Sequence, residues 1–581
     1  MPYRHFSNKE IADILYEMAA LYEMAGVEFK PRAYERAAQN IESMKDEVHD
    51  VYAEGGEKAL DAIPGVGKGM ASHIKELFTR GHFKEYEALR KKMPVDILGL
   101  TAVEGIGAKT VKTLWQKLKI RDLNALERAA KEGKLSKLPG FGRKSEEKIA
   151  KGIAFLRSAG GRRTLGSVFS YVKKLEGEIR QFPEVEKISV AGSIRRWKET
   201  IGDIDILVTS RKPEKVMERF CAMREVGHVF GTGPTKTNVR LKSGIDADIR
   251  VIPEESWGAA LCYFTGSKSH NIELRKIAIR RGLKLNEYGL FKGARRVAGK
   301  TEEEIYKALG LSYIEPELRE MTGEIDAARK KTLPKLIGYN DVRGDLQVQT
   351  NWTDGSVGIK EMAEAAEREG LEYIVITDHT RGLAMTGGLD EKGILRQMKE
   401  IESLNRSYGK AGKKFSILTG TEVNIRKDGT LDIADDVLRK LDVVGAAVHS
   451  HFTLSKNEQT KRVIRAIENP NVDIIFHLTG RIINRREGKA VDIDEVIRAA
   501  KRTGTILEIN AYPDRLDIKD EHVRKCVAAG VLMSIDSDAH SPEHFSLLQF
   551  GIAQARRGWA EKKDIINTLP VQKMLARLKG R

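Results

Sequence analysis

Two aspartates separated by one residue open an apolar stretch near the middle of the chain. Asp203 and Asp205 precede the apolar residues 206–208, and because side chains alternate along a strand, both carboxylates should lie on one face. A third carboxylate, Asp248, belongs to a later alternating segment that carries Arg250 on the same side. Close carboxylates repel one another unless a divalent cation lies between them. The three acids therefore predict a two-metal site, in which one ion activates a hydroxyl and the other holds a triphosphate.

The residues just before this pair have the chemistry to bind phosphate. Gly192 and Ser193 follow a strand-like segment and should open a helix that carries Arg195 and Arg196. Amides at a helix start and a guanidinium group both bind phosphate oxygens. A lone D-x-D pair is more often part of a solvated strand. The ordered set of G-S-x-R-R, D-x-D and D-x-R is much more specific and favours nucleotidyl transfer.

Histidines and carboxylates recur in the second half of the chain, each after a short apolar run. The runs alternate with helical stretches, a pattern that predicts the β–α units of a parallel barrel. Active sites of barrels collect at the C-terminal ends of strands. One such histidine is more often a packed core residue, but repetition at five strand ends favours a Zn²⁺ or Mn²⁺ site. The polar residues at these ends are Asp378, His379, Glu422, His449, His477, Asp536, Asp538 and His540.

A glycine turn occurs three times in the first 160 residues, each time before a helical stretch. The first glycine of each copy permits a tight turn, the second permits close approach of a ligand, and the following helix amides favour an anion. A single copy is more often a packing hairpin. Three copies, each with a lysine beside it, favour helix–hairpin–helix elements that bind DNA phosphates without reading bases. The residues are Gly65, Gly67 and Lys68, then Gly105, Gly107 and Lys109, then Gly140, Gly142 and Lys144.

The middle of the chain resembles the palm and thumb of family X DNA polymerases, the group of DNA polymerase beta. Besides the acids, it contains the segments GTGPTK from Gly231, YFTGS from Tyr263 and LNEY from Leu285. The resemblance implies that Asp203, Asp205 and Asp248 bind Mg²⁺ or Mn²⁺. It implies that Ser193, Arg196 and Gly202 hold the triphosphate, that Tyr263, Phe264 and Gly266 line the sugar, that Asn271 meets the base, and that Arg250 and Arg275 support template and primer.

The N-terminal domain of this family is often a lyase that removes 5′-deoxyribose phosphate through a lysine Schiff base. Aligned on the first glycine turn, the position of that lysine is occupied by His73. A Schiff base requires a primary amine, which imidazole lacks. We therefore expect the first turn to anchor a 5′ phosphate without lyase chemistry.

The back half resembles the PHP phosphoesterase domain, which is often fused to family X polymerases and can act as a 3′–5′ exonuclease. The resemblance adds Asp354 to the candidate Zn²⁺ or Mn²⁺ ligands His379, Glu422, His449, His477, Asp538 and His540. It also exposes a departure, because Gln347 and Gln349 replace the His-x-His pair of the family's first strand. Glutamine is a poor metal ligand, so we expect weak or absent exonuclease activity.

Charge and composition limit the remaining classes of function. The chain has 581 residues and a net charge of +17, of which residues 1–340 carry +15. A basic front half favours a polyanionic partner, although solubility or a thermophilic origin are alternatives. No apolar run reaches the 18 residues of a membrane span, and no signal peptide is apparent. Three scattered cysteines argue against a disulfide framework and favour the cytoplasm.

Together these patterns predict a multidomain fold. It combines an α-helical helix–hairpin–helix region, an α+β nucleotidyltransferase palm with a thumb, and a distorted, TIM-like β/α barrel. The expected divisions are a helical N-terminal domain at 1–90, helical fingers at 91–160, the palm at 161–255, the thumb at 256–320, a linker at 321–340 and the PHP domain at 341–581.

The preferred function is a monomeric DNA-directed DNA polymerase that uses deoxynucleoside triphosphates to fill short gaps at gapped or nicked DNA. One alternative is a PHP-type metal-dependent 3′–5′ exonuclease with the polymerase part as a DNA clamp. The other is a DNA-binding scaffold in which both sites are inactive. The intact acids Asp203, Asp205 and Asp248 argue against the scaffold, and Gln347 and Gln349 argue against the exonuclease.

Overall fold

The N-terminal third of the chain is helical in the computed structural model, which describes residues 6, 8–44, 46–103, 105–138, 140–158, 161–383 and 386–578. Two apolar clusters hold its helices together, one centred on Ile11, Leu15 and Phe78 and the other on Val111 and Leu114. The helices are α1 (Asn8–Ala25), α2 (Lys30–Ser43), α3 (Val48–Asp61), α4 (Lys68–Arg80), α5 (Lys84–Lys92), α6 (Ile97–Thr101), α7 (Ala108–Leu118), α8 (Leu123–Lys131) and α9 (Arg143–Ser158).

The three glycine turns have the same local geometry. In each, the amide of the residue between the glycines donates to a carbonyl three residues earlier, at 2.9 Å for Val66, 3.0 Å for Ile106 and 3.0 Å for Phe141. The first glycines have φ of 79°, 87° and 84°, a conformation that favours glycine. α4, α7 and α9 follow the three turns, as expected of helix–hairpin–helix elements.

The palm is a mixed five-stranded sheet with the strand order β2-β4-β7-β6-β5, in which β4 and β7 run parallel. α10 and α12 bury their apolar faces against one side of it, through residues such as Val172 and Phe220. The elements are β1 (Arg163–Thr164), α10 (Gly166–Arg180), β2 (Lys187–Val190), α11 (Gly192–Arg195), β3 (Thr200–Ile201), β4 (Asp203–Thr209), α12 (Pro213–Cys221), β5 (Val226–Thr232), β6 (Lys236–Leu241) and β7 (Asp246–Val251).

The thumb combines helices with a small antiparallel sheet and extends beyond residue 320. The segment expected to be a linker contains a helix whose Ile325 and Ala328 are buried in the apolar cluster of the thumb. This segment is therefore packed and not a free tether. The elements are α13 (Trp257–Thr265), α14 (Lys268–Arg280), β8 (Lys284–Asn286), β9 (Gly289–Lys292), β10 (Arg295–Ala298), α15 (Glu302–Ala308) and α16 (Glu324–Lys330).

The C-terminal region is a parallel barrel, as the alternating pattern predicts. Neighbouring strands follow the chain order from β11 to β17, and a bridge between Val348 and Ala539 brings the last strand end back to the first. The elements are β11 (Gly344–Val348), α17 (Ile359–Arg368), β12 (Tyr373–Ile376), α18 (Glu391–Lys410), β13 (Ser416–Asn424), α19 (Asp435–Leu438), β14 (Val443–Ala447), α20 (Lys456–Glu468), β15 (Ile474–Ile475), α21 (Ile493–Thr503), β16 (Ile506–Asn510), α22 (Asp520–Ala529), β17 (Met533–Asp536), α23 (Leu548–Arg557) and α24 (Val571–Leu575). None of the described helices is long and apolar enough to cross a membrane.

The barrel is docked on the palm through apolar and charged contacts. The ring of Phe550 on α23 lies 5.1 Å from the ring of Phe169 and 5.7 Å from that of Trp197. Arg481 of the barrel donates to Glu199 of the palm at 2.7 Å. The two regions therefore form one continuous packed unit.

Candidate functional site

The palm sheet brings the three predicted acids together on one face. Asp205 on β4 lies directly opposite Asp248 on the parallel strand β7, and Asp203 lies two residues before Asp205 on the same face. Burial, followed by the nearby charges of Asp203 and Asp248, raises the pKa of Asp205 to about 6. The cationic side chains near Asp205 therefore do not fully balance the negative charge of its carboxylate.

A glycine turn next to Asp205 makes room for its side chain. Gly192 has φ of 63°, and a Cβ atom there would lie 2.5 Å from Oδ2 of Asp205. The amide of Ala191 donates to the Asp205 carbonyl at 2.8 Å. The glycine is thus required both by its backbone conformation and by the packing of the acid.

Arg196, expected to hold the triphosphate, is paired inside the structure. Its Nε donates to Oε1 of Glu320 at 2.8 Å, and Nη1 donates to the carbonyl of Thr265. Arg557 of the barrel reaches the carbonyl of Arg196 at 3.0 Å. A phosphate arriving here has to compete with Glu320 for the guanidinium group.

The other predicted phosphate and sugar residues surround this arginine. Ser193 is half-buried in α11, and Gly202 is exposed just before β4. Gly266 has φ of 68°, and a Cβ atom there would lie 3.3 Å from Nη1 of Arg196. The structure therefore groups Gly266 directly with the arginine.

The predicted sugar, base and template residues form a connected group at the start of the thumb. The rings of Tyr263 and Phe264 lie 5.1 Å apart, and the guanidinium of Arg250 lies 4.7 Å from the Phe264 ring. Asn271 Nδ2 donates to the carbonyl of Tyr263 at 2.6 Å, and Arg275 Nε donates to the carbonyl of Asn271 at 3.3 Å.

The glycine turns present their second glycines and following helix starts to solvent. A Cβ atom at Gly67, Gly107 or Gly142 would meet nothing within 4 Å, which leaves room for close approach of a ligand backbone. Lys68 and Lys109 are exposed beside their turns. The side chain of Lys144 lies outside the described residues.

His73 is held within the N-terminal domain by three neighbours. Its Nδ1 lies 2.9 Å from the hydroxyl of Tyr34, its Nε2 lies 3.4 Å from Oε2 of Glu85, and its ring stacks on Phe83 at 4.4 Å. Burial lowers its pKa. The amine of Lys30 donates to the other oxygen of Glu85 at 3.1 Å. The fold therefore places a lysine near His73 that the sequence did not indicate.

In the barrel, the carboxylate of Glu422 lies at the centre of the predicted ligands. Its Oε1 is 3.0 Å from His449 Nε2 and 2.9 Å from His477 Nε2, while Oε2 is 3.4 Å from His379 Nδ1. Although burial opposes the charge, these imidazoles hold the pKa of Glu422 well below its usual range.

A second group lies on the other side of His379. Oδ2 of Asp354 is 3.7 Å from Nε2 of His379 and 3.7 Å from Nε2 of His540. Despite the opposing effect of burial, the pairing lowers the pKa of Asp354 to about 2 and raises that of His540 to about 10. In the described residues, ligand atoms lie within 4.8 Å of one another in two triads, Asp354 with His379 and His540, and His379 with Glu422 and His449.

The two glutamines at the end of β11 point into this site. Gln347 Nε2 donates to Oε2 of Glu422 at 3.1 Å, and Gln349 Nε2 donates to the same oxygen at 3.0 Å. Asn510, which sequence reasoning missed, donates to Oε1 of Gln347 at 3.3 Å and to Oδ2 of Asp538 at 3.2 Å. Both amides therefore converge on the same oxygen of Glu422.

Two acids at strand ends have structural partners instead. Asp378 accepts hydrogen bonds from Thr350, Thr353 and Gln397. Asp536 accepts from the amide of Leu346. Strand-end position alone therefore does not identify the acids that meet in the barrel mouth.

Family models match four parts of the chain. They are a helix-hairpin-helix domain at residues 6–83, a SAM-like helix-hairpin-helix tandem at 97–154, a DNA polymerase beta thumb at 260–320 and a PHP domain at 345–511. Their order along the chain agrees with the order of the structural regions.

Relatives match the whole chain or its separate parts. The chain is 35% identical over 576 residues to the DNA polymerase/3′-5′ exonuclease PolX of Bacillus subtilis, covering 98% of this chain and 99% of that protein. DNA polymerase lambda of Arabidopsis thaliana is 25% identical over 54% of this chain and 62% of its own length. A probable phosphatase of Acetivibrio thermocellus is 35% identical over 31% of this chain and 72% of its own length. The chain belongs to the PolX family, the family X DNA polymerases that carry a C-terminal PHP domain.

Proposed function

We propose that this chain acts as a DNA-directed DNA polymerase that fills short gaps during repair. The main supporting observation is the arrangement of Asp203, Asp205 and Asp248 on two parallel strands beside the Gly192 turn. Such an arrangement suits in-line attack of a primer hydroxyl on a nucleotide α-phosphate, a reaction that depends on positioning and charge stabilisation.

The same three acids would hold Mg²⁺ or Mn²⁺. The raised pKa of Asp205 supports this fit, because burial and then the charges of Asp203 and Asp248 disfavour its negative charge, which a divalent cation would balance. When bound, the metal makes the primer hydroxyl more acidic and stabilises the leaving pyrophosphate.

The chain's own side chains would position the deoxynucleoside triphosphate and the DNA. The tight grouping around Arg196 and Phe264 supports a pocket that orients the nucleotide before reaction. We assign the phosphate to Ser193, Arg196 and Gly202, the sugar to Tyr263, Phe264 and Gly266, the base to Asn271, and the template and primer to Arg250 and Arg275.

The glycine turns of the N-terminal region would bind the backbone of gapped or nicked DNA. Exposed helix starts with a neighbouring lysine favour phosphate contacts that do not depend on sequence. We propose that the enzyme works as a monomer in the cytoplasm, where its three unpaired cysteines would stay reduced.

A second candidate activity is 3′–5′ exonuclease in the barrel, with Zn²⁺ or Mn²⁺ held by its histidines and carboxylates. The two ligand triads favour it. The amides of Gln347 and Gln349 on Glu422 oppose it, because they satisfy the carboxylate without a metal. We therefore propose a folded PHP domain whose exonuclease activity is weak or absent.

Replacing Asp205 by asparagine should reduce primer extension on gapped DNA at least about a hundredfold, since a metal ligand contributes several kcal/mol to the reaction. DNA binding should stay near wild type, because the glycine turns supply other phosphate contacts. Asp246→Asn is the matched control. Asp246 lies two residues before Asp248 on β7 and is already paired with Arg240 at 2.7 Å. Extension by Asp205→Asn within tenfold of wild type would refute the metal assignment.

Lys68→Ala and Lys109→Ala should each lower the slope of log affinity against log salt concentration by about one, equally for all DNA sequences. Fluorescence anisotropy on gapped DNA measures the slope. Lys131→Ala is the control, because this exposed lysine on α8 pairs with Glu127 away from the turns. Unchanged slopes for Lys68 and Lys109 would identify the turns as packing elements only.

Borohydride reduction should trap little or no adduct between the wild-type chain and 5′-deoxyribose phosphate, because His73 cannot form a Schiff base. His73→Lys should produce a trapped adduct, detected by electrophoresis, since it places an amine at the position that the family uses. Strong wild-type trapping that disappears in Lys30→Ala would contradict this expectation and assign the chemistry to the lysine beside Glu85.

The double change Gln347→His and Gln349→His should increase the metal bound per chain, measured by mass spectrometry of dialysed protein, and should raise Mn²⁺-dependent exonuclease activity. The reason is that imidazole replaces two amides that bind Glu422. The double change to asparagine keeps the amides and serves as control. Robust wild-type exonuclease that is lost in His449→Ala but kept in Asp205→Asn would overturn the proposal of a weak PHP activity.

A further inference from the structure

A cavity of about 810 Å³ joins the mouth of the barrel to the N-terminal domain. One wall contains barrel residues of the candidate metal site, including Asp354 and His379. The opposite wall is helix α2, which contributes Arg32 and Arg36. One wall of the barrel site is therefore formed by residues of the N-terminal domain, more than 300 positions away in the sequence.

The two arginines lie on the face of α2 that its own domain leaves free. Tyr34, Ala37 and Ile41 are buried in the N-terminal core, whereas Arg32 and Arg36 are exposed. Their four-residue spacing places them one helical turn apart, about 6 Å along the axis. Both side chains can therefore reach the same ligand at different points.

Arg36 also contacts the loop that carries a candidate metal ligand. Its guanidinium donates to the carbonyl of Ser356 at 3.3 Å, and the amide of Ser356 donates to the carbonyl of His540 at 2.7 Å. Asp354 lies two residues before Ser356. The contact fixes α2 at the edge of the barrel site instead of at a remote part of its surface.

The arginines on the α2 wall of this cavity can bind an anion. Arg515 of the barrel also lines the cavity but lies 3.9 Å from Asp538. The acids of the lining are Glu35, Asp354 and Asp538. Burial, and then the charge of Glu23, raise the pKa of Glu35, whereas the neighbouring Arg32 lowers it. Phosphate groups are the anions that guanidinium groups bind best.

A neighbouring cavity has the opposite character. It has a volume of about 700 Å³, shares Gln39 and Tyr512 with the first, and lies between α2, α3, the palm and the barrel. Its acids include Glu42, Glu47 and Asp50. A nucleic acid strand would be repelled there, so it would have to enter the barrel mouth along the arginine side.

We infer that Arg32 and Arg36 complete the substrate-binding wall of the barrel site, where they bind separate phosphates of one DNA strand whose 3′ end enters the mouth. A ligand with several phosphates uses both arginines, whereas a small phosphomonoester uses one. The inference rests on the proposed DNA-processing function but concerns binding of the strand, so it does not require that the barrel hydrolyses DNA.

Photocrosslinking of a 3′ end tests this directly. A single-stranded oligonucleotide with a photoreactive 3′-terminal thymidine and hydrolysis-resistant phosphorothioate linkages is irradiated with the full chain. Mass spectrometry then identifies the crosslinked peptides. We expect crosslinks to peptides of the barrel mouth, and a decrease of at least about fivefold in Arg32→Ala/Arg36→Ala, because two charge-assisted phosphate contacts are lost.

Two further variants separate charge from structure. Arg32→Lys/Arg36→Lys keeps both charges and should retain most of the barrel crosslinks. Arg80→Ala removes an exposed arginine of the same domain that pairs with Glu76, and it should crosslink as wild type does. Barrel crosslinks that are undiminished in the double alanine variant, or wild-type 3′ ends that crosslink outside the barrel alone, would overturn the inference. An absence of primer extension would instead count against the polymerase proposal.

Discussion

The palm and the barrel share one hydrophobic core, and that contact holds these two regions in a fixed arrangement. Leu516, Leu547 and Phe550 of the barrel are buried in the same cluster as the palm residues of α10. Exposing this apolar surface to water would cost about 25 cal/mol for each Å². The barrel is therefore docked on the palm and does not swing on a linker, and α16 strengthens this by packing within the thumb.

The docking of the barrel on the palm also determines which surface the barrel mouth faces. With the barrel fixed, its mouth lies opposite α2, so that an arginine-bearing helix meets the strand-end histidines and carboxylates. Arg557 adds a polar link between barrel and palm, because it donates to the carbonyl of Arg196 and pairs with Asp520. Palm and barrel are therefore joined by packed elements.

Sequence reasoning predicted the periodic features well because each depends on local spacing. The D-x-D alternation predicted which face of β4 carries the acids, the glycine turns predicted the hairpins, and the apolar runs predicted the barrel strands. The remaining features depend on contacts between distant residues. Lys30 near His73, Asn510 beside Gln347 and the α2 wall of the barrel site all require the tertiary fold, and no spacing rule relates them. The packing of the 321–340 segment depends on such contacts too, because Ile325 and Ala328 lie in the apolar cluster of the thumb.

The two sites balance buried negative charge in opposite ways. In the palm, burial and then the charges of Asp203 and Asp248 raise the pKa of Asp205, and the nearby Arg250 and Arg196 offset this only in part. In the barrel, the imidazoles around Glu422 lower its pKa although burial opposes this, and the amides of Gln347 and Gln349 donate to the same carboxylate. A site that retains uncompensated charge gains more free energy from a divalent ion than a site that has already neutralised it. In the palm, a divalent cation would balance charge that burial and neighbouring acids disfavour, whereas in the barrel histidines and amides already contact the central carboxylate.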